Sequence, residues 1–170
     1  MSHTDSRFEW GHINLNVSDL ERSIAFYAQF GFEVFMPAIP YLGLDLEPDP
    51  KPLSEPLAQA LGLPEGTRGR ACILQLNDGF PKLDLTTFSL PDSAAPLQTK
   101  DTGLVRICLS TSDLDGEVAR LKAAGVSFLT DPQSGHAQLA DIALCRDPDG
   151  TLIELLQVYL HRWQSLLNPS

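Results

Sequence analysis

Two carboxylates of this chain interrupt apolar strand patterns, in the runs Leu83-Asp84-Leu85 and Ile153-Glu154-Leu155. An unpaired carboxylate among apolar neighbours costs free energy, so each predicts a cationic partner or a metal ion nearby. Two nitrogen-bearing side chains, His12 and Arg106, occupy alternating strand-like segments. Together, these four side chains could form either a metal centre or an ion-pair cluster.

An internal repeat connects these residues. Residues 13–31 and 107–125 align without a gap at an offset of 94, with seven of nineteen positions identical. Residues 82–88 align with 152–158 at an offset of 70. His12 therefore corresponds to Arg106, and Asp84 corresponds to Glu154.

Each copy predicts the element order βαβββ. The opening strand alternates between two faces, and Ser18 with Glu21 forms a capping box before a helix that ends at Gly31. The second copy has the same features, with Ser112 and Gly125 at the helix ends. The further strands are predicted at 33–36, 71–77 and 82–89 in the first copy and at 126–130, 141–146 and 151–158 in the second.

The repeat predicts an α+β fold of two βαβββ modules that form one concave, barrel-like shell. We expect a tail at 1–9, a first module at 10–90, a linker at 91–102, a second module at 103–158, and a C-terminal helix and tail at 159–170. The first module contains a Pro-rich insertion, 37–66, with a short helix at 54–61. Such an insertion is typical of a lid or specificity loop.

Composition excludes several classes of function. The formal net charge of −10, without any basic run, argues against nucleic-acid binding. No apolar segment is long enough to span a membrane and no secretory signal pattern is present, so we expect a cytoplasmic location. The three widely spaced cysteines indicate buried thiols rather than disulfides or a zinc site.

The opening segment GHINLNVSDLERSIAFYAQFGFEV and the closing segment DPDGTLIELLQ resemble the vicinal oxygen chelate superfamily of glyoxalases, bleomycin resistance proteins and dioxygenases. The resemblance covers about residues 10–158. It implies a small-molecule cup, often in a homodimer. The family shares this fold across different reactions, so the fold by itself does not select one.

The resemblance also implies four metal-facing positions on the first and last strands of the modules. In this sequence they are His12, Asp84, Arg106 and Glu154. His12, Asp84 and Glu154 could hold one divalent Mn, Ni, Fe or Zn ion. Arg106 could not serve as a ligand, because a guanidinium has no lone pair for a metal and repels a cation. Arg106 therefore favours a metal-free cluster, although both alternatives stay open.

Two functions follow from these alternatives. One is a metal-dependent lyase or isomerase similar to glyoxalase I, in which Asp84 or Glu154 is the base. The other is a metal-free binding or sequestering protein that resembles the bleomycin-resistance branch. In both, the predicted partner is a small oxygenated molecule, and the predicted substrate-binding residues are Arg106, Asn14, Asn16, Thr86, Cys108 and Ser110.

Overall fold

The computed structural model describes residues 8–91 and 95–167. The chain divides into two compact units, Met1–Ser93 and Ala94–Ser170. Parts of the predicted N-terminal tail (1–7), linker (92–94) and C-terminal tail (168–170) lie outside the described residues.

The first unit follows the predicted βαβββ order, with short elements inserted before its last two long strands. In chain order its elements are β1 (His12–Asn16), α1 (Leu20–Ala28), β2 (Phe32–Met36), β3 (Ala38–Ile39), β4 (Leu44–Asp45), β5 (Lys51–Pro52), α2 (Glu55–Ala60), β6 (Arg68–Leu76) and β7 (Lys82–Phe88). The main sheet has the order β1-β7-β6-β2, and β5 also pairs with β6. Strands β1 and β7 run parallel, whereas β6 is antiparallel to β7 and β2.

The second unit repeats this topology without the insertion. Its elements are β8 (Arg106–Ser110), α3 (Leu114–Ala123), β9 (Gln133–Ser134), β10 (Ala140–Arg146), β11 (Leu152–Val158) and α4 (Leu160–Leu167). The sheet order is β8-β11-β10-β9, again with its first two strands parallel. The predicted α+β class with βαβββ modules is confirmed. Among the described residues, no helix has both the length and the apolar character needed to cross a bilayer.

The N-cap residues of α1 and α3 each lie one position later in the chain than predicted. Asp19, not Ser18, accepts the backbone N–H of Arg22 at 2.9 Å, and Asp113, not Ser112, accepts that of Gly116 at 3.0 Å. Both residue types cap helices well, and the aspartate oxygens reach the third residue of the first turn. Gly31 and Gly125 have φ values of +91° and +93°, as expected for helix-terminating glycines.

The prediction of a strand at 126–130 is wrong. Phe128 makes only an isolated bridge to Cys145, and the edge pairing to β10 resumes at Gln133–Ser134. Between these two pairings the four residues 129–132 lie opposite only Ala143 and Leu144 of β10, so the two segments cannot stay in register here. Pro132 also has no N–H to donate to β10.

The two faces of the first sheet differ in what covers them. Arg70 of β6 forms an ion pair with Glu21 of α1, which places the helix on the face that carries Arg70, Cys72 and Leu74. The opposite face carries the residues that alternate with these along each strand. We call it the site face; on β1 and β7 it is formed by His12, Asn14, Asn16, Lys82, Asp84 and Thr86.

Candidate functional site

The site face of the first unit is built on the parallel pair β1 and β7. The register places His12 beside Lys82, Asn14 beside Asp84 and Asn16 beside Thr86. Because side chains on a strand alternate, all six lie on the same side of the sheet. Strand β7 lies inside the sheet rather than at its edge.

His12 and Asp84, two of the four residues that the sequence predicted to share one site, lie next to each other. His12 Nδ1 lies 3.6 Å from Asp84 Oδ2. Asp84 is 1% exposed, and its Oδ1 atom has no hydrogen-bond partner among the described residues. Burial raises the pKa of the Asp84 carboxyl above its ordinary value, although His12 and the Tyr41 hydroxyl each oppose part of that rise.

Tyr41 reaches this pair from the insertion. Its hydroxyl donates to Asp84 Oδ2 at 3.4 Å, and its ring stacks on His12 with centroids 6.3 Å apart. Burial, followed by the negative charge of Asp84, raises the pKa of the Tyr41 hydroxyl. The contact between Tyr41 and Asp84 could not be predicted from the sequence, since no periodic pattern connects residue 41 to β7.

The insertion covers part of the site face with a small apolar core of its own. Its buried members are Ile39, Leu42, Leu44, Leu53, Ala58 and Ala71, with Ile73 and Phe88 packed against them. Ala71 and Ile73 of β6 lie on the site face, because they pair with Thr86 and Asp84. The insertion thus packs against the face that carries Asp84 and helps to exclude water from it.

Three of the predicted substrate-binding residues bond mainly to one another. Thr86 Oγ1 donates to Asn16 Oδ1 at 2.6 Å, and Asn14 Nδ2 donates to Thr86 Oγ1 at 3.2 Å. Asn14 Nδ2 also lies within hydrogen-bond distance, 3.1 Å, of Asn16 Oδ1. This network fixes the side chains beside Asp84, while the two asparagines stay exposed.

The second unit places Arg106 against Glu154. Arg106 Nε donates to Glu154 Oε2 at 2.5 Å, and the carboxylate is the less exposed partner. Cys108 lies directly beside Glu154 in the register of β8 and β11, and it is exposed, so the prediction of a buried thiol is wrong at this cysteine. Partial desolvation, and then a hydrogen bond to Glu154, raises the pKa of the Cys108 thiol to about 11, which makes it a poor nucleophile at neutral pH.

The remaining predicted residue, Ser110, lies on the same face of β8 as Arg106 and Cys108. The structure thus brings His12 to Asp84, joins Asn14 and Asn16 through Thr86, and pairs Arg106 with Glu154. The roles of these residues as metal ligands, catalytic groups or substrate contacts stay predictions.

The donors fit a divalent metal poorly. Within each unit, the described residues contain no group of three or more histidine, cysteine, aspartate and glutamate side chains that could hold a metal. The first unit offers His12 and Asp84, while the Glu154 carboxylate of the second unit already accepts from a permanent cation. A guanidinium at this distance competes with a metal ion for the same oxygens.

Lys82 is not among the site residues predicted from the sequence. This lysine is only 8% exposed, and its ammonium lies over the rings of Phe35 and Phe80 at 4.8 and 4.7 Å. The repeat carried a signal, because the offset of 70 pairs Lys82 with Leu152, an ordinary apolar strand residue.

Comparison with known proteins places the chain in a family. A sequence model of the Glyoxalase/Bleomycin resistance protein/Dioxygenase superfamily matches residues 10–155. The chain belongs to this superfamily. The match includes His12, Asp84, Arg106 and Glu154, and it confirms the family predicted from the two sequence segments.

Solved structures of this superfamily share the fold at low sequence identity. A glyoxalase family protein from Bacillus cereus is 17% identical, with a TM-score of 0.69 over 93% of this chain and 99% of its own. The trypanothione-dependent glyoxalase I of Leishmania major is 21% identical, with a TM-score of 0.57 over 95% and 94%. Glyoxalase I from Zea mays is 20% identical, with a TM-score of 0.58 over 86% of this chain and 43% of its own. A search of curated protein sequences finds no match to this chain.

Proposed function

We propose that this member of the glyoxalase superfamily binds a small oxygenated molecule without using a metal ion. The observation that carries the proposal is the ion pair between Arg106 Nε and Glu154 Oε2 at 2.5 Å. In the metalloenzymes of the family, the corresponding positions supply metal ligands. Here Arg106 places a fixed positive charge at one of these positions, and its guanidinium is paired with Glu154 at the other.

The energetics of this pair support the proposal. A metal ion at Glu154 would have to displace the guanidinium, which would then remain charged beside the cation. Arg106 is also well suited to hold an oxygenated ligand, because its guanidinium has further N–H groups besides the one that Glu154 accepts. Ligand binding and carboxylate pairing can therefore coexist at Arg106.

In the first unit, His12 and Tyr41 are exposed polar groups whose side chains lie against the buried Asp84. Both can exchange hydrogen bonds with ligand oxygens, and Asp84 holds the Tyr41 hydroxyl in position. The predicted cup therefore offers donors and acceptors without a Lewis acid. The predicted homodimer and cytoplasmic location stay predictions.

A metal-binding experiment tests the proposal. The natural chain, purified without chelator, is incubated with Mn²⁺, Ni²⁺, Fe²⁺ or Zn²⁺, and bound metal is measured after gel filtration. We expect less than one tightly bound ion per chain for every metal. Arg106→His, which restores a ligand type found at this position in the family, is expected to gain metal affinity, and the matched control Arg106→Lys is not.

Stoichiometric, tight metal binding by the natural chain would overturn the proposal and favour the second candidate. That candidate is a metal-dependent lyase or isomerase with His12, Asp84 and Glu154 as ligands, and Asp84 or Glu154 as the base. Its support is the buried Oδ1 atom of Asp84, which has no partner among the described residues and lies on a carboxylate beside a histidine. A metal bound there would supply Lewis-acid polarisation of a substrate oxygen.

A further inference from the structure

Lys82 is a buried cation where the repeat has an apolar residue. It lies on the site face of β7, two residues before Asp84, and its counterpart in the second unit is Leu152, which is fully buried. Burying an ammonium where leucine fits the same fold costs free energy. A purely structural role would be served better by the leucine, so the lysine calls for another explanation.

Among the described residues, no carboxylate forms an ion pair with Lys82. Its ammonium donates to Gln75 Oε1 at 2.9 Å, and Gln75 Nε2 in turn donates to Glu33 Oε1 at 2.7 Å. No ion pair to Lys82 is found in residues 8–91 or 95–167. An ammonium has three N–H donors, and Gln75 accepts from one of them.

Two aromatic rings lie against this ammonium and also face solvent. Phe35 is 49% and Phe80 is 65% exposed, although each ring centroid lies within 5 Å of the Lys82 nitrogen, at 4.8 and 4.7 Å. Cation–π contacts offset part of the cost of burying the charge. The exposed ring surfaces are left available to a flat apolar group.

A second lysine shows the ordinary alternative. Lys122 lies over the ring of Phe128 at 5.9 Å, but it forms an ion pair with Asp131. The charge of Lys122 is therefore neutralised by an ion pair, and its side chain is about half exposed. Lys82 combines deeper burial, two rings and no acidic partner among the described residues.

We propose that Lys82, Phe35 and Phe80 form a subsite for a planar aromatic carboxylate, with the carboxylate on the Lys82 ammonium and the ring against the two phenylalanines. This inference deepens the proposed function, on which it rests, by naming the class of ligand. A single lysine with one accompanying amide suits a monoanion, whereas a phosphate dianion is usually held by several donors. The rings favour an aromatic over an aliphatic ligand, because aromatic pairs gain energy beyond the area they bury.

Benzoate, its neutral amide benzamide and its saturated analogue cyclohexanecarboxylate are the probes. Titrations of the full chain are followed by amide chemical shifts in NMR spectra, and they give the dissociation constant of each probe. We expect benzoate to bind more tightly than both analogues. Lys82→Gln, which keeps a polar group near Gln75, is expected to weaken benzoate by about tenfold or more, the usual cost of a charged hydrogen bond, and to leave benzamide unchanged.

Two further variants keep the result interpretable. Lys122→Gln is the matched control and is expected to bind all probes as the natural chain does. Phe80→Leu replaces an exposed side chain, so it is expected to fold normally and to abolish the preference for benzoate over cyclohexanecarboxylate. Urea denaturation of each variant checks that the fold is retained.

The subsite is wrong if benzoate binds no better than benzamide, or if folded Lys82→Gln and Phe80→Leu bind benzoate like the natural chain. Neither outcome bears on metal content, so metal-free binding would still stand. Conversely, tight metal binding by the natural chain overturns the proposed function, whereas the three probe affinities test the subsite separately.

Discussion

The two units of this chain place acidic side chains at repeat-related positions and neutralise them in different ways. In the first unit, the insertion packs on the site face, and Asp84 is buried beside a histidine and a tyrosine. In the second unit, which has no such insertion, Glu154 is paired with a permanent cation. The difference shows that one repeated backbone can hold a carboxylate either by excluding water or by supplying a countercharge.

The physical consequence in the first unit is a change in the proton affinity of the buried acid. Burial without a full countercharge favours the protonated carboxyl, which is why the pKa of Asp84 is raised. The first unit therefore raises the proton affinity of its acid, whereas the second places its acid against the guanidinium of Arg106.

The largest effect is expected from removing the insertion's core. Leu44→Ala deletes a fully buried side chain and should lower the free energy of unfolding by about 2–5 kcal/mol. The reason is lost apolar burial together with the cavity that remains. Urea denaturation measures the change.

The matched control for this prediction is Leu61→Ala. Leu61 lies in the same insertion but is exposed, so its loss should change the free energy of unfolding by no more than about 0.5 kcal/mol. Equal effects of the two substitutions would show that the insertion has no core of its own and that the contrast between the units is misplaced.

A smaller effect is expected at the two helix caps, where the units should behave alike. Asp19→Ala and Asp113→Ala each remove an oxygen that accepts a backbone N–H, and each should cost about 1 kcal/mol of unfolding free energy. Ser112→Ala is the control and should cost less, because Asp113 remains as the cap. A larger loss for Ser112→Ala than for Asp113→Ala would return the cap to the residue predicted from sequence.

The smallest effect is expected from Asp84→Asn, because His12 and Tyr41 already offset part of the burial cost. A carboxyl whose pKa is raised by folding binds its proton more tightly in the folded state, so the natural chain loses stability as pH rises from the ordinary aspartate pKa, about 3.9, through the raised value. The asparagine variant does not ionise there and keeps that stability. The difference in unfolding free energy, variant minus natural chain, should therefore increase with pH across this window.

Urea denaturation at a series of pH values from about 4 to neutral measures this difference. A difference that stays constant, or that falls as pH rises, would mean that Asp84 ionises in the folded chain at least as readily as in the unfolded one. Burial would then not be what distinguishes the acid of the first unit.

The repeat and the faces of the strands were predictable from particular residues. The repeat aligned His12 with Arg106 and Asp84 with Glu154, and alternation placed each acid on the same face as its partner. Alternation wrongly predicted the edge strand at 126–130 instead of Gln133–Ser134, because the pairing of an edge strand depends on neighbours that are distant in sequence. Asp19 and Asp113 were missed as caps because each follows a serine that is an equally good cap by type.

The sequence by itself determined the duplicated fold and the superfamily, because the period of alternation and the repeat are properties of order along the chain. It named His12, Asp84, Arg106 and Glu154 as candidates and left their pairing open. The tertiary structure decided that Asp84 is buried, that Tyr41 contacts it, and that Lys82 lies under two exposed rings. Burial and the proton affinities that follow from it depend on which distant segments pack over a residue.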